Sequence, residues 1–247
     1  MRLYIVCHRD AYAVNHRGYT HAEAREAGLR WYVVNEPLTP KDIDAPPSCR
    51  MNEWDLPWHD PFMQMNHFYN NSALWHVYRN LDLLVDDHVG FAQYDMTIPR
   101  APLDAFAELT TAQPGAVGYM FPYPFAALFH NPLPAEFWDH VIVRAAFPGR
   151  ATLSDLASVE LPLFHGFILP KSAFLKMMEF ADRVLPTVVR ALGHDTRHLA
   201  GTLERVCALW IAAAVWSGTL GPVVNVPGFE HNQATQRLAD AFREDVP

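Results

Sequence analysis

Short apolar runs alternate along the chain with segments of helical periodicity. The runs LYIVC (residues 3–7) and WYVV (residues 31–34) are continuous and apolar, which is typical of strands buried on both faces. Between residues 37 and 61 this pattern disappears, and the abundance of Pro, Asp and Trp predicts a long irregular segment. Loops of that length in a compact domain are usually functional.

Five later segments carry helical signals. The first, NHFYNNSALWHVYRN (residues 66–80), repeats its apolar side chains near helical spacing. Ser172 is placed to cap another helix, because its hydroxyl can accept a backbone N–H of the first turn. The remaining predicted helices are residues 103–109, a segment that ends near residue 146, and residues 199–217.

Strand-like segments separate these helices. HVGFAQYDM (residues 88–96) ends in an acidic region, and LPLFHGFILP (residues 161–170) is interrupted by a central glycine. A strand is also predicted over residues 116–121, and a strand and loop over residues 223–231. The alternation predicts an α/β fold, a single Rossmann-like domain whose mostly parallel, twisted sheet is flanked by helices.

Composition and charge limit the function classes. The 247 residues permit one large domain or two small ones, and a hydrophobic fraction of 50% is enough for a sizeable core. A net charge of −8 argues against a general nucleic-acid binder, which carries a basic face. The longest uninterrupted apolar run, residues 208–216, is far shorter than the ~20 residues that span a bilayer, so we expect no transmembrane segment.

Cysteine usage and the first residues predict the compartment. Three widely separated cysteines, an odd number, favour a reducing compartment over a disulfide framework. The chain enters an apolar, strand-like run at once, without the layout of a signal peptide. We therefore expect a cytoplasmic protein.

Polar residues follow three of the predicted strands. In an open α/β sheet, ligands bind outside the carboxyl ends of the strands, so residues at those positions are the first candidates for a site. They are Cys7-His8-Arg9-Asp10, Gln93-Tyr94-Asp95 and the loop that carries His231.

Asp95 and His231 are candidate metal ligands. A carboxylate that a strand delivers to a cleft suits Mg²⁺ or Mn²⁺, because these ions prefer oxygen ligands and accept substrate phosphates. A neutral imidazole can complete such a shell. Asp95 alone is equally compatible with a cap or turn before Pro99, and the chain has thirteen histidines, so His231 alone indicates little.

Glu204 is a candidate general base. It lies near the start of a predicted helix whose later residues are nearly all apolar, and a carboxylate there can accept a proton from an attacking hydroxyl. Considered by itself, the residue is better explained as an acid stabilised by the helix dipole or as an ion-pair partner of Arg205.

Aromatic and polar residues mix densely over residues 54–79. Aromatic surfaces of this kind stack on nucleobases and on the faces of sugars. Phe68 and Trp75 are expected to fill the core, whereas the Trp-rich segment before the first long helix is harder to explain by packing alone.

Several enzyme classes lack their motifs in this chain. No G-x-G-x-x-G follows the first strand and no Walker A pattern is present, so dinucleotide oxidoreductases and P-loop NTPases fit poorly. The G-x-S-x-G elbow of α/β-hydrolases and a Cys-rich zinc site are also absent. A metal-dependent hydrolase that uses Asp95 and histidines stays an alternative, although no H-x-H or H-E-x-x-H pattern supports it.

Together these segments resemble glycosyltransferases of the GT-A fold, and more closely an uncharacterised family linked to capsular and exopolysaccharide biosynthesis. IVCHRDAY is similar to that family's His-containing turn after the first strand, and NHFYNNSALWHVYRN to its helix N-x-x-Y-x-E-x-T-A-x-Y-W-x-W-K-N. HVGFAQYDM is similar to a strand of the type Y-V-G-F-x-H-Y-R-R, and Leu203-Glu204-Arg205-Val206 to a later E-R-L element. The likeness spans residues 3–231.

The resemblance implies a role for each candidate. The metal-binding D-x-D triplet corresponds to Gln93-Tyr94-Asp95, which keeps only the last carboxylate, and Gln93 can instead bind the ribose. The glycine loop beside the acceptor corresponds to His165-Gly166-Phe167, the catalytic base to Glu204, and the late metal-binding histidine to His231. Further donor-binding residues would be His8, Arg9, Tyr12, Tyr94, and Asn66 and Asn70 projecting from the predicted helix.

The implied activity is transfer of a sugar from a nucleotide-sugar donor, with a UDP-sugar favoured, to a hydroxyl of a glycan or another acceptor. A Mn²⁺ or Mg²⁺ ion is expected to assist, and Glu204 favours inversion of the anomeric configuration. Residues 1–100 would form the nucleotide-binding half of one domain and residues 101–247 the acceptor-side half. The alternative is a non-catalytic module that binds nucleotide sugars or carbohydrates, which the Trp-rich segment and the incomplete D-x-D triplet would suit.

Overall fold

A computed structural model of the chain describes residues 1–11, 19–34, 42–65, 68–193 and 195–231, with the backbone alone at residues 64–65 and 230–231. Within these residues, seven strands form one sheet, and two pairs of short strands lie beside it. In chain order the strands are β1 (Arg2–Cys7), β2 (Leu29–Val33), β3 (Arg50–Asn52), β4 (His88–Gln93), β5 (Met96–Thr97), β6 (Val117–Tyr119), β7 (Pro122–Tyr123), β8 (Leu161–Pro162), β9 (Phe167–Pro170), β10 (Val223–Asn225) and β11 (Glu230–His231).

The central sheet is mostly parallel. Its strand order is β10-β6-β9-β4-β1-β2-β3, and β9 runs antiparallel to both of its neighbours while the other paired strands run parallel. β7 pairs with β8 and β5 with β11, both antiparallel. The predicted α/β fold class with a mostly parallel sheet is therefore confirmed.

Helices cover both faces of this sheet. In chain order they are α1 (His21–Glu26), α2 (Pro61–Met65), α3 (Asn71–Arg79), α4 (Arg100–Ala112), α5 (Ala135–Phe137), α6 (Arg144–Ala146), α7 (Lys171–Leu192) and α8 (Leu199–Trp216). A π-helical stretch, Trp138–Val143, joins α5 to α6. The buried side chains of α3, α7 and α8 belong to one hydrophobic cluster, and those of α1 and α4 to a second.

β1 has a continuous apolar sequence because both of its faces are buried in the centre of the sheet. Tyr4 and Val6 belong to the first cluster, and Leu3, Ile5 and Cys7 to the second. Because successive side chains of a strand point to opposite faces, only an uninterrupted apolar sequence fills both layers. The strands predicted over residues 3–7 and 31–34 are therefore confirmed.

α8 lies in the core and carries a membrane-like composition. Thr196–Trp216 is long and apolar enough to cross a membrane by length and composition, with a mean hydropathy of 1.4 over its most apolar stretch. In the fold, 67% of that stretch is buried. The helix packs against α7 and β8, and core helices pass the same test, so this composition is weak evidence for a membrane span. The sequence expectation overlooked the candidate because it counted only the uninterrupted run 208–216.

Three element predictions need correction. Within the segment predicted to be irregular, residues 42–61 contain β3 and two turns of 3₁₀ helix. The helix predicted over residues 66–80 begins only at Asn71, because Tyr69 has a φ of 47°, which a helix does not tolerate. Ser172 does not cap α7, since the helix already begins at Lys171 after Pro170.

Candidate functional site

One edge of the central sheet gathers most of the predicted site residues. The carboxyl ends of β1 and β4 lie there, and because β9 is antiparallel, the loop that precedes it lies at the same edge. His8 follows β1, Tyr94 and Asp95 follow β4, and Gly166 precedes β9. This is the edge at which open α/β sheets bind their ligands.

On the β1–β4 side, His8 and Tyr94 are in direct contact. Their rings meet edge to face with centroids 4.6 Å apart. The N–H of Tyr94 donates to the carbonyl of Val6 at 3.0 Å, which holds the segment after β4 against β1. Gln93 and Tyr94 are buried, whereas Arg9 is exposed at this end. The two strand ends thus present an imidazole and a phenol side by side.

The backbone brings residue 231 beside Asp95. β11 pairs antiparallel with β5, and His231 lies opposite Met96, the residue that directly follows Asp95. The structure describes the backbone of His231 but not its side chain, and it describes no residue from 232 onward. Among the side chains that the structure describes, no group of three or more His, Cys, Asp or Glu is arranged to hold a metal ion. The metal site stays a prediction that this backbone pairing supports.

Three donor-side predictions fall outside this contact or outside the described residues. Tyr12 and Asn66 are not among the described residues. Asn70 does not project from the body of a helix, because α3 begins only at the next residue. It is 8% exposed, and its buried Oδ1 has no hydrogen-bond partner among the described atoms.

Glu204 opens into a cavity of about 450 Å³. The half-buried carboxylate lies on α8 and accepts the backbone N–H of Phe164, in the loop before β9. Tyr123, Phe164 and Arg205 line the same cavity, together with small and apolar residues. The volume lies within the range of roughly 300–1,000 Å³ that small-molecule sites occupy.

Burial raises the pKa of Glu204 to about 7, and both the Phe164 N–H and the charge of Arg205 oppose that rise. A carboxyl group with this pKa exchanges its proton near neutral pH, as a general base must. Perturbed groups in a cleft are candidates for function. The simpler explanation from sequence was an ion pair between Glu204 and Arg205, but the Arg205 guanidinium does not form it. It donates instead to the carbonyls of Gly201 at 2.9 Å, Ala127 at 3.1 Å and Leu128 at 3.2 Å.

The loop before β9 is held in an uncommon conformation. Phe164 and His165 have φ values of 55° and 53°, a left-handed region that few non-glycine residues adopt. The interruption predicted at Gly166 therefore arises from its two predecessors. Gly166 is needed for space, because a Cβ there would lie 3.3 Å from the Leu163 carbonyl and from Phe121 Cβ.

His165 is buried behind this loop rather than exposed in the cavity lining. It is 2% exposed, and burial lowers its pKa to about 4, so the ring is neutral at pH 7. Its Nδ1 has no hydrogen-bond partner among the described atoms. Leu163 and Phe164 line the cavity, whereas His165 and Gly166 do not. The acceptor-side role predicted for His165 and Gly166 stays a prediction, and the residues of this loop that reach the cavity are Leu163 and Phe164.

Sequence reasoning missed Tyr123 and Phe164. Tyr123 lies in a segment that reads as loop, PYPF, and reaches the cavity only because β7 pairs with β8, which immediately precedes the loop of Phe164. Proximity to the Glu204 charge contributes to the raised pKa of Tyr123, after burial. The one feature of the sequence that could have indicated Tyr123 as a site residue is its position as an aromatic residue between two prolines.

A second cavity lies at the opposite edge of the sheet. It has a volume of about 680 Å³ and is lined by Asp86, His88 and Lys171, near the amino ends of β1 and β4. None of the predicted site residues whose side chains the structure describes lines it. It is larger than the Glu204 cavity but is remote from the strand ends where the candidate chemistry collects.

Comparison with solved structures identifies the fold. The apo structure of the bifunctional glycosyltransferase WbbM is similar to 94% of this chain at 13% identity, with a TM-score of 0.59, and the match covers 46% of that chain. The apo structure of mouse xyloside xylosyltransferase 1 also aligns, over 90% of this chain and 84% of that one at 13% identity, with a TM-score of only 0.37. No family model matches the chain, and no curated protein matches it in sequence. The chain therefore has the fold of a solved glycosyltransferase and spans about half the length of that structure.

Proposed function

We propose that this protein transfers a sugar from a nucleotide-sugar donor to a hydroxyl acceptor, with Glu204 as the general base. The observation that carries the proposal is a carboxyl group with a pKa of about 7 in a cavity at the ligand-binding edge of the sheet. The fold shared with the WbbM glycosyltransferase supports the same reaction class by analogy alone. We further propose a UDP-sugar as donor and a role in cytoplasmic polysaccharide or glycan biosynthesis, in keeping with the motif resemblance.

The donor would lie along the β1–β4 end of the edge. His8 and Tyr94 meet there edge to face, and Gln93 lies directly before Tyr94. The half-buried imidazole of His8 offers a face for a base and polar atoms for a ribose, and the buried Tyr94 ring holds it in place. Arg9, which is exposed next to His8, adds a positive charge suited to a diphosphate.

Asp95 and His231 would hold the divalent cation that assists departure of the donor's diphosphate. A carboxylate at Asp95, directly before β5, and an imidazole at position 231 of the paired β11 would leave the remaining positions of a Mg²⁺ or Mn²⁺ shell to phosphate oxygens. Bound there, the cation would supply neutralisation of charge on the departing diphosphate. The protein's own contribution is to hold these two positions together through the β5–β11 pairing.

Glu204 would act on the acceptor. Its carboxylate takes the proton of the acceptor hydroxyl while that oxygen bonds to the anomeric carbon and the bond from this carbon to the diphosphate breaks. The Phe164 N–H fixes one carboxylate oxygen and leaves the other for the acceptor. A single displacement of this kind inverts the anomeric configuration.

The pH dependence of turnover should follow Glu204. Because the base acts as the carboxylate and its pKa is about 7, kcat should rise from pH 6 to pH 8 and level off above that. An unperturbed glutamate, with a pKa near 4.3, would give a flat profile over the same range. A profile measured at saturating donor and acceptor that is flat between pH 6 and pH 8 would contradict the assignment.

Replacing Asp95 by Asn should weaken donor binding in the presence of Mn²⁺ by at least about tenfold, because removal of a ligand lowers metal affinity by that order or more. Calorimetric titration of the donor into protein with Mn²⁺ and with EDTA measures the effect. Asp82→Asn, at an exposed turn, is the control and should not change the affinity. Equal donor affinity in EDTA and in Mn²⁺ would remove Asp95 and His231 from the binding site.

The reaction itself is tested by incubating the protein with UDP-, GDP-, CMP- and dTDP-linked sugars and measuring the released nucleotide. Slow release without acceptor from one of these donors is the expected result for a transferase. Binding of a nucleotide sugar with no turnover on any acceptor would instead support the non-catalytic module.

A further inference from the structure

Three aromatic rings stand together at the Glu204 cavity. Tyr123 contacts Phe164 with ring centroids 5.3 Å apart and also contacts Phe121 at 5.3 Å. Phe121 and Phe164 meet edge to face at 6.5 Å. Tyr123 and Phe164 line the cavity, whereas Phe121 supports both rings from outside the lining. We call these three residues the aromatic wall.

The aromatic wall and the base are fixed to one another. The backbone N–H of Phe164 bonds the Glu204 carboxylate while the ring of the same residue lines the cavity. The charge of Glu204 also contributes to the raised pKa of Tyr123, which places the phenol near the carboxylate. An apolar surface and a proton acceptor therefore meet at one corner of the cavity.

Apart from Glu204, Arg205 and His130, the rest of the lining is small or apolar. Pro124, Ala126, Ala127 and Leu163 complete one side of the cavity, and Arg205, which also lines it, is engaged with backbone carbonyls. A ligand that matches this lining has one broad C–H face for the rings and a hydroxyl at its edge for Glu204. A pyranose ring has that combination, whereas a peptide serine offers a hydroxyl without a flat apolar face.

We propose that the Glu204 cavity binds a pyranose acceptor whose C–H face stacks on Tyr123 and Phe164 while an edge hydroxyl meets Glu204. The inference rests on the proposed transferase function and narrows the acceptor to a sugar residue. Tyr123 is its specificity-determining residue, because Phe164 is additionally committed to holding the carboxylate. The left-handed backbone of Phe164, with a φ of 55°, sets the directions of its ring and its N–H, and the surrounding contacts hold it there.

Two substitutions of Tyr123 separate stacking from hydrogen bonding. Tyr123→Phe keeps the ring and removes the hydroxyl, so affinity for a pyranoside should stay within about twofold. Tyr123→Leu removes the flat face, and affinity should fall about tenfold, as expected for the loss of an aromatic contact. Phe129→Leu is the matched control, because that ring is 47% exposed and does not line the cavity.

The probes are methyl pyranosides of glucose, galactose, mannose and N-acetylglucosamine, with N-acetylserinamide as a peptide-type hydroxyl. Saturation-transfer NMR should detect at least one bound pyranoside, with the strongest transfer to the protons of one ring face, and no bound N-acetylserinamide. Binding of none of the pyranosides, or an equal loss of affinity in Tyr123→Phe and Tyr123→Leu, would overturn the proposal.

Donor hydrolysis distinguishes this proposal from the proposed function. Nucleotide release without acceptor reports on the donor side, and it is measured on the parent protein and on the Phe129→Leu control, where it should be the same. A protein that hydrolyses a donor but binds no pyranoside leaves the transferase function standing and refutes the sugar acceptor. A protein that binds a pyranoside but releases nucleotide from no donor refutes the transferase function instead.

Discussion

Glu204→Gln is expected to lower turnover about 10²–10⁴-fold, the usual loss when a general base is removed. Glutamine keeps the shape of the side chain and can still accept the N–H of Phe164 through its amide oxygen, but it cannot take a proton from an acceptor hydroxyl. Donor affinity should be unchanged, since the donor lies at the β1–β4 end of the edge. Steady-state kinetics with a donor titration measures both quantities, and Glu179→Gln, an exposed site on α7, should keep full turnover.

A measurement of the stability of Glu204→Gln distinguishes loss of the general base from unfolding of the protein. The folded pKa of Glu204, about 7, lies above the ordinary value of 4.5, so the folded protein holds a proton that the unfolded chain has released between these values. The free energy of unfolding therefore falls as the pH rises from about 4.5 to 7, and the full cost is present above pH 7. At pH 8 the glutamine variant should be at least as stable as the parent protein. Full turnover in a folded Glu204→Gln protein that binds donor would contradict the assigned role.

Glu53→Ala is expected to lower the free energy of unfolding by about 1–3 kcal/mol, the usual cost of leaving a buried hydrogen-bond donor without its partner. The Glu53 carboxylate lies 3.0 Å from His76 Nδ1 and 2.9 Å from the Ser72 hydroxyl, and all three side chains are buried. His76 Nε2 accepts the N–H of Asp60 at 3.1 Å, which leaves the imidazole proton on Nδ1, facing Glu53. Removing the carboxylate leaves the buried Nδ1–H of His76 without its hydrogen-bond acceptor.

Urea denaturation and thermal melting measure the effect of Glu53→Ala. For a protein of this length, a loss of this size lowers Tm by about 5 °C. Glu108→Ala, at an exposed position of α4, is the control and should change the free energy of unfolding by less than about 0.5 kcal/mol. Unchanged stability of Glu53→Ala would show that the contacts of Glu53, which directly follows β3, with α3 carry no net stabilisation.

Elements with long, regular patterns were predictable from the sequence. β1 and α8 lie where the apolar runs place them, because most of their side chains are buried and no local signal competes with burial. β3 was missed because Arg50–Asn52 is short, polar and at the edge of the sheet, so it lacks an apolar pattern. The start of α3 was misplaced because the left-handed Tyr69 carries no sequence signature, unlike a glycine at such a position.

The candidate site was predictable in its position but not in its chemistry. The rule that ligands bind at strand carboxyl ends was enough to select His8, Tyr94 and Asp95. Glu204 alone favoured a structural role, and its raised pKa appears only when the loop of Phe164 and the turn of Tyr123 close around it. These contacts join segments far apart in the chain, which a local pattern does not encode.

The central claim is that the donor binds at the edge where β1 and β4 end and faces the Glu204 cavity. A crystal structure with Mn²⁺ and whichever of UDP, GDP, CMP and dTDP gives the largest thermal shift tests it most directly. The account predicts the nucleotide phosphates beside Asp95 and the open side of the Glu204 cavity turned toward them. A nucleotide seated instead in the opposite cavity, against Asp86, His88 and Lys171, would contradict it.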